Sequence, residues 1–180
     1  MIPRLELVTG RATSPQVMSG VLRPAVPDDA PRLVTMFERC SPASRYGRFL
    51  GPLAHFPASH LVDVVRSSPI RRSWVVDDFA TGDVVAVASW FRNDGDTAEI
   101  GLLVEDAWQR RGFGAALLDT LAESARHAGV TTFVAHSLAD SRHVHRMVRR
   151  LGPSTVECSG HVCTFHVSLA SDARAEALAG

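Results

Sequence analysis

This chain lacks an excess of charge, a long apolar run and any metal-binding pattern of cysteine or histidine. Its formal net charge is zero, so no global field draws it to nucleic acid or to an anionic membrane surface, and we expect neither as a partner. No apolar stretch reaches membrane-spanning length, and Met1-Ile2-Pro3-Arg4 does not open an apolar export core. A cytoplasmic protein is expected. Cys40, Cys158 and Cys163 have no zinc-type spacing, and an odd count without an export signal fits a reducing compartment. Cys158 and Cys163 can face each other across a hairpin, but the compartment favours free, buried thiols over a bridge. His143, His145, His161 and His166 form no His-x-x-x-His pair with a third ligand, so no metal is expected.

What is present suffices for one sizeable core: 180 residues with 46% hydrophobic content. Residues 1–20 carry Pro3, Gly10, Pro15 and Gly20 without a sustained period and read as a flexible arm. Val21-Leu22-Arg23 reads as a strand. A helix with Pro31 in its first turn and Leu33, Val34, Phe37 and Cys40 on one face follows, and a second runs from Pro57 to Val65. Between them Ala43 to Leu50 is rich in arginine and aromatic residues. Ser73–Asp77, Asp83–Phe91 and Thr97–Val104 form a meander broken by Thr81-Gly82 and Asn93-Asp94-Gly95-Asp96. A helix from about Gly114 to Ala128, a strand Thr131–His136, a helix ending at Leu151-Gly152 and a hairpin about Ser159-Gly160 complete a domain over 21–169. The tail 170–180 is expected to fray.

The densest signal is Val104-Glu105-Asp106-Ala107-Trp108-Gln109-Arg110-Arg111-Gly112-Phe113-Gly114-Ala115, where a strand, a glycine-bearing loop and an amphipathic helix follow in order. Gly112 and Gly114 let a ligand approach the backbone, and the helix start offers unpaired N–H groups to a phosphate. A P-loop would need Lys-Ser/Thr after the glycine, but Ala115-Ala116 stands there. A dinucleotide turn would need a third glycine where Leu117 stands. A plain packing turn is the remaining alternative.

Gln109-x-x-Gly112-x-Gly114 resembles the coenzyme A loop of the GNAT acyltransferase superfamily, and the order strand, two helices, three strands, helix, strand, helix, two strands is similar to its fold. The resemblance covers Val21 to Val167. It implies an α/β (α+β) domain with a mixed, mostly antiparallel sheet of six to seven strands flanked by about four helices. Ser41-Pro42-Ala43-Ser44-Arg45-Tyr46-Gly47-Arg48-Phe49, Ala98-Glu99-Ile100-Gly101-Leu102-Leu103-Val104 and Leu138-Ala139-Asp140-Ser141 further resemble bacterial protein lysine acetyltransferases that modify acyl-CoA synthetases. Those enzymes usually carry Asn at the place of Ser141, and many have a large further domain.

The resemblance implies acetyl-CoA as acyl donor and Glu99 as the base. A lysine ammonium, with a pKa of about 10.4, must lose a proton before nitrogen attacks a thioester, and a carboxylate beside the attack point can take it. Glu99 can equally solvate an outward strand face. Alternation puts Glu99, Gly101 and Leu103 on one face, and Gly101 marks either a close backbone approach or a tight core spot. Leu102, Leu103 and Val104 are candidates for the pantetheine arm and the thioester oxygen. Gln109, Arg110, Arg111, Gly112, Phe113, Gly114, Ala115 and Ser141 are candidates for the pyrophosphate side. Arg142, His145, Arg146, Arg149 and Arg150 form a polar stripe, read as a solvated face that can lend a phosphate contact. Many GNAT enzymes have a tyrosine acid where Val148 stands, and Tyr46 is the chain's only tyrosine. The reading is an acetyltransferase acting on a protein lysine, as monomer or homodimer. A small-amine acetyltransferase and a non-catalytic acyl-CoA sensor are the alternatives.

Overall fold

The structure, a computed structural model, describes residues 5–6 and 20–169. The expected flexibility of 1–20 falls largely, and the frayed tail 170–180 wholly, outside the described residues. Eight strands form one sheet: β1 (Leu5–Glu6), β2 (Gly20–Pro24), β3 (Arg71–Asp78), β4 (Val84–Asp94), β5 (Thr97–Val104), β6 (Thr132–Leu138), β7 (Ser154–Ser159) and β8 (Val162–Ser168). Their order is β1-β2-β3-β4-β5-β6-β8-β7, and every neighbouring pair is antiparallel except β5 with β6.

Five helices flank it: α1 (Ala30–Arg39), α2 (Pro42–Phe49), α3 (Ala58–Val65), α4 (Phe113–His127) and α5 (Arg142–Arg149). Four helices were expected from the sequence, and α2 is the addition. It has no fully buried residue, so no apolar stripe advertises it. Its signals are local: the Ser41 hydroxyl accepts the Ser44 N–H at 3.2 Å, Pro42 fits the first turn, and Leu50 at φ 54° ends it.

The sheet separates two cores. On one side α4 buries Leu117, Leu118, Leu121 and Ala125 against Trp90, Ala98, Ile100, Phe133 and Phe165. On the other, α1 and α3 bury Leu33, Met36, Phe37 and Val64 against Val75, Val87 and Leu103. β5 is sandwiched between them, so its alternate residues face different chemistry: Ala98 and Ile100 look to α4, while Leu103 looks to α1 and α3.

Cys158 and Cys163 form a disulfide, which corrects the expectation of two thiols. The register of the β7–β8 hairpin makes them direct cross-strand partners, with Cα atoms 4.0 Å apart, so strand pairing alone brings the sulfurs together. Cys40 stays a buried thiol, and burial pushes its pKa up to about 12.

A buried charge ties β2, β3 and α1 together. Asp29 is 1% exposed and accepts from Arg23 Nη1 at 2.7 Å and Nη2 at 2.6 Å, from Arg32 Nη1 at 2.7 Å and from the Val26 N–H at 2.9 Å. Both guanidiniums also reach Asp77. Burial pushes the Asp29 carboxyl up, but the Arg23 bond, the Val26 N–H and the two cations outweigh it and hold the carboxyl below its ordinary value. A carboxyl shifted this way stabilises the fold above its unfolded pKa, and that contribution disappears as pH falls through the folded one. Asp29→Ala therefore costs about 3 kcal/mol at pH 7 in urea unfolding. The stability gap between native protein and Asp29→Asn narrows on acidification below about pH 4; a gap constant from pH 7 to pH 3 would contradict this account.

Candidate active site

The parallel β5–β6 ladder is short. It runs from Thr97↔Thr132 to Ile100↔Ala135, although β5 continues to Val104 and β6 to Leu138. β4 follows β5 all the way to Val104. Gly101–Val104 is thus bonded on its β4 edge and open on the edge that turns from β6. An extended ligand carrying amide groups can pair with such an edge as an added strand.

The open edge leads into a turn of 3-10 helix, Asp106–Trp108, and then into the glycine loop. Gly112 takes φ 90° and Arg110 φ 58°, left-handed values that bend the chain sharply before α4. The first helical bond joins the Ala116 N–H to the Gly112 carbonyl at 3.1 Å. The N–H groups of Phe113, Gly114 and Ala115 therefore lack intrahelical partners at the positive end of a 15-residue helix. A Cβ on Gly114 would lie 3.3 Å from Leu102 Cδ2 and 3.4 Å from Met147 Sδ, so the glycine brings α4 close to β5 and α5. The Phe113 side chain is buried beside Trp108, which leaves only its backbone for a ligand. Arg111 stacks on Trp108 at 4.9 Å. Ser141, ahead of α5, makes no capping bond with its hydroxyl.

A latch fastens this loop to α2. Asp106 accepts from the Ser41 N–H at 2.7 Å, the Ser41 hydroxyl at 2.7 Å and the Ser44 hydroxyl at 2.8 Å. Partial desolvation pushes its carboxyl up, and these bonds more than offset that and lower it. The Gln109 amide donates to Ser44 Oγ at 2.9 Å and to the Val104 carbonyl at 3.1 Å. Arg45 pins α2 from behind, donating to the Cys40 and Glu38 carbonyls and stacking on Phe37.

Glu99 and Gly101 share the other face of β5 with Leu103, opposite Phe91, Ser89 and Val87 of β4. A small cavity there is lined by Arg48, Phe49, Phe56, His60, Ser89 and Gly101. Arg48 donates to His60 Nε2 at 3.1 Å and lies 4.8 Å over the Phe49 ring. Burial pulls the guanidinium down to about 10, with the Glu99 charge acting in the opposite sense. Burial and then Arg48 pull His60 down to about 4, so it is neutral at physiological pH and accepts at Nε2. Tyr46 Oη stands 3.4 Å from His161 Nε2 in the β7–β8 turn. Val148 is buried in the α4-side core and presents no acid.

The structure thus gathers Glu99, the Gly101–Val104 edge and the start of α4 around one split in the sheet. Sequence reasoning missed Arg48, His60 and the Asp106 latch. Gly101 was the available signal for Arg48: a close approach was expected there, and what approaches is the guanidinium. A wider groove between β3 and α4, lined by Arg72, Trp74, Glu123 and His127, lies on the opposite side of the sheet from Glu99. No helix is long and apolar enough to cross a membrane, and no group of three or more metal-ligating side chains occurs among the described residues.

The family model described as Acetyltransferase (GNAT) family matches residues 34–152. The chain is similar to Acetyltransferase Pat of Mycolicibacterium smegmatis, with 30% identity over 135 residues, which is 73% of this chain and 40% of that protein. It therefore spans well under half of that relative. Among solved structures, the GNAT domain of S. lividans PAT superposes with a TM-score of 0.79 at 25% identity, over 92% of this chain and 97% of that one. A cAMP-binding acyltransferase from Mycobacterium smegmatis gives 0.64 at 24% identity, over 94% and 48%. The yncA structure from Salmonella typhimurium, solved with its cofactor acetyl-CoA, gives 0.68 at 21%, over 86% and 96%. These last two likenesses concern the fold.

Removing the Asp106 carboxylate unties α2 from the loop. Asp106→Ala is expected to cost about 1–2 kcal/mol, since the carboxylate is partly solvated, and to raise amide hydrogen exchange selectively across 41–50. Exchange that is unchanged there would show that α2 is held by its packing instead.

Proposed function

The chain belongs to the GNAT acetyltransferase family, and from that premise we propose that it moves an acetyl group from acetyl-CoA directly to a protein lysine, on a substrate of the acyl-CoA synthetase type. The observation that carries the reading is the split at Ile100/Ala135, with a carboxylate one residue before it and an anion cradle beyond it. The likeness to Acetyltransferase Pat supports the choice of a protein acceptor.

The residues fit coenzyme A as a bound substrate. The open edge of Gly101–Val104 suits the amides of the pantetheine arm, and the N–H groups of Phe113, Gly114 and Ala115 suit the pyrophosphate. Arg110, Arg111 and Gln109 border that cradle, and Ser141 heads the neighbouring α5. Acetyl-CoA supplies an activated carbonyl. Glu99 takes a proton from the acceptor ammonium, directly or through one water, and the freed nitrogen attacks the thioester carbon. An N–C bond forms as the C–S bond breaks, and the leaving sulfur keeps the electron pair. The backbone N–H of Val104, which faces the open edge, steadies the carbonyl oxygen. Of the two protons that nitrogen gives up overall, one ends on coenzyme A and one in solvent.

No tyrosine stands at Val148, so the thiolate departs without a dedicated acid. Tyr46 touches only His161 in this region, a contact worth at most about 0.5 kcal/mol, and Tyr46→Phe keeps transfer within about twofold. A loss as large as that of Glu99→Gln would make Tyr46 part of the chemistry.

The deciding experiment is intact-protein mass spectrometry after incubation with acetyl-CoA and an AMP-forming acyl-CoA synthetase. The chain contains no lysine, so acetyl added to a lysine appears on the acceptor alone. One acetyl on the synthetase with native enzyme, and at least 100-fold less with Glu99→Gln as expected for loss of a general base, is the expected result. Acetylation of free amines with the synthetase untouched would move the reading to small-molecule substrates. Binding of acetyl-CoA with no transfer at all would make the domain a sensor.

A further inference from the structure

A guanidinium lies across the only glycine of β5. A Cβ at position 101 would overlap Nη2, Cζ and Nε of Arg48, so Gly101 is a notch filled by this cation. Gly101 is also the first residue of β5 beyond the last β5–β6 pair, Ile100↔Ala135. Glu99 sits two residues back on the same face. The cation therefore lies on the face of β5 that carries Glu99, over the first residue of the open edge.

Its place is over-determined. Phe49 stacks against it at 4.8 Å, His60 Nε2 accepts from Nη2 at 3.1 Å, and the glycine lies beneath. Among the described residues it makes no ion pair. Burial lowers its pKa only to about 10, so it stays charged at neutral pH. A fixed positive charge disfavours any second cation brought beside it.

An amine arriving from water is such a cation. To react it must come within reach of Glu99 and of a thioester laid along Gly101–Val104, which brings it close to Arg48. We propose that Arg48 is a positioning residue that sets the charge state of the acceptor: its guanidinium, seated on Gly101, lowers the pKa of the incoming ammonium so that nitrogen is delivered neutral, the proton passing to Glu99. This rests on reading Glu99 as the base and a primary amine as the acceptor. Gly101 has its own role in it, because no other residue leaves room for the cation.

Other charged or titratable groups around the site are few. α2 adds Arg45 and Tyr46, and α3 adds His60 and Asp63, the latter paired with Arg71. β6 adds His136, hydrogen-bonded to Thr164 at 3.1 Å, and His161 stands at the hairpin turn. β4 adds only the uncharged Ser89 and Phe91. His60, at about 4, is neutral throughout the range in which amine acetylation is measured.

The test is the pH profile of kcat, at saturating acetyl-CoA and synthetase, for native enzyme, Arg48→Met and Gly101→Ala, because kcat reports ionisations of the bound complex whereas kcat/KM reports those of free enzyme and free acceptor. In Gly101→Ala the new Cβ displaces the far end of a flexible side chain, so the fold survives and the cation is expelled. Both variants are expected to move the acid limb up by about one pH unit, a tenfold loss below the limb with rates converging above it. Acetyl-CoA binding by calorimetry stays at the native value in Arg48→Met. An equal loss at every pH, or no change, overturns the proposal. If Arg48→Met does not fold, Gly101→Ala decides by the same shift. If native enzyme leaves the synthetase unmodified, the acceptor reading fails, and the same three proteins on n-butylamine decide the role of Arg48. An enzyme that acetylates neither overturns both.

Discussion

Everything at the site depends on a ladder that stops early. Parallel strands are joined by evenly spaced hydrogen bonds, and nothing in that geometry limits a pair to four residues. β5 and β6 nevertheless part after Ile100 and Ala135, although both run on as strands. Each keeps its far-edge partner past that point, β5 to β4 through Val104 and β6 to β8 through Leu138, so both stay extended as they part. The separation takes from this edge of β5 the strand partner it had through Ile100, a cost that a fold tolerates where a side chain, a ligand or water meets the backbone groups, as the Gln109 amide meets the Val104 carbonyl. α4 starts directly past the end of that edge, so strand edge and helix start face one gap. One departure from regular pairing thus creates both halves of a site for an extended, anionic ligand.

The two sides of the split are held by different means. The α4 side is packed: Gly114 lets the helix start settle onto Leu102 and Met147, and β5 is buried beneath Leu117 and Leu121. The α2 side has little buried surface and depends on polar contacts, chiefly the Asp106 latch to Ser41 and Ser44 and the Arg45 bonds to carbonyls. Elements held by few apolar contacts open at lower free energy than core strands. The loop that tethers α2 is the same one that carries the glycines.

Much of this was legible in the sequence because it follows from local patterns. Alternation in Thr97–Val104, the glycine pair, and the stripe of Leu117, Leu118 and Leu121 each specify one element, and their order specified the family resemblance. The helix α2 was not legible, because it is only eight residues long, has no fully buried residue and begins at Ser41-Pro42, which reads from the sequence as a helix end. The Cys158–Cys163 bridge was misread for a different reason: the hairpin that sets the two cysteines opposite one another was legible, but the expected reducing compartment was given more weight than their register. The assignment of Glu99 as the base rests on the resemblance. Arg48 was hidden in a segment without periodicity, and the glycine that marks it lies more than fifty positions away.

The chain's cations add a last constraint. Every one of its 19 basic residues is an arginine. If the acceptor is a lysine, as proposed, each lysine of the chain's own near the split would be a competing nucleophile. Guanidinium is planar, delocalised and charged at all relevant pH, so its nitrogens have no free pair to offer a thioester. At position 48 this distinction matters most. A lysine there would lie beside the thioester with its pKa lowered by burial, and so would be the first amine acetylated. Arginine supplies the same charge without that reactivity, and it also stacks on Phe49 and reaches His60 from one plane, which an ammonium cannot do.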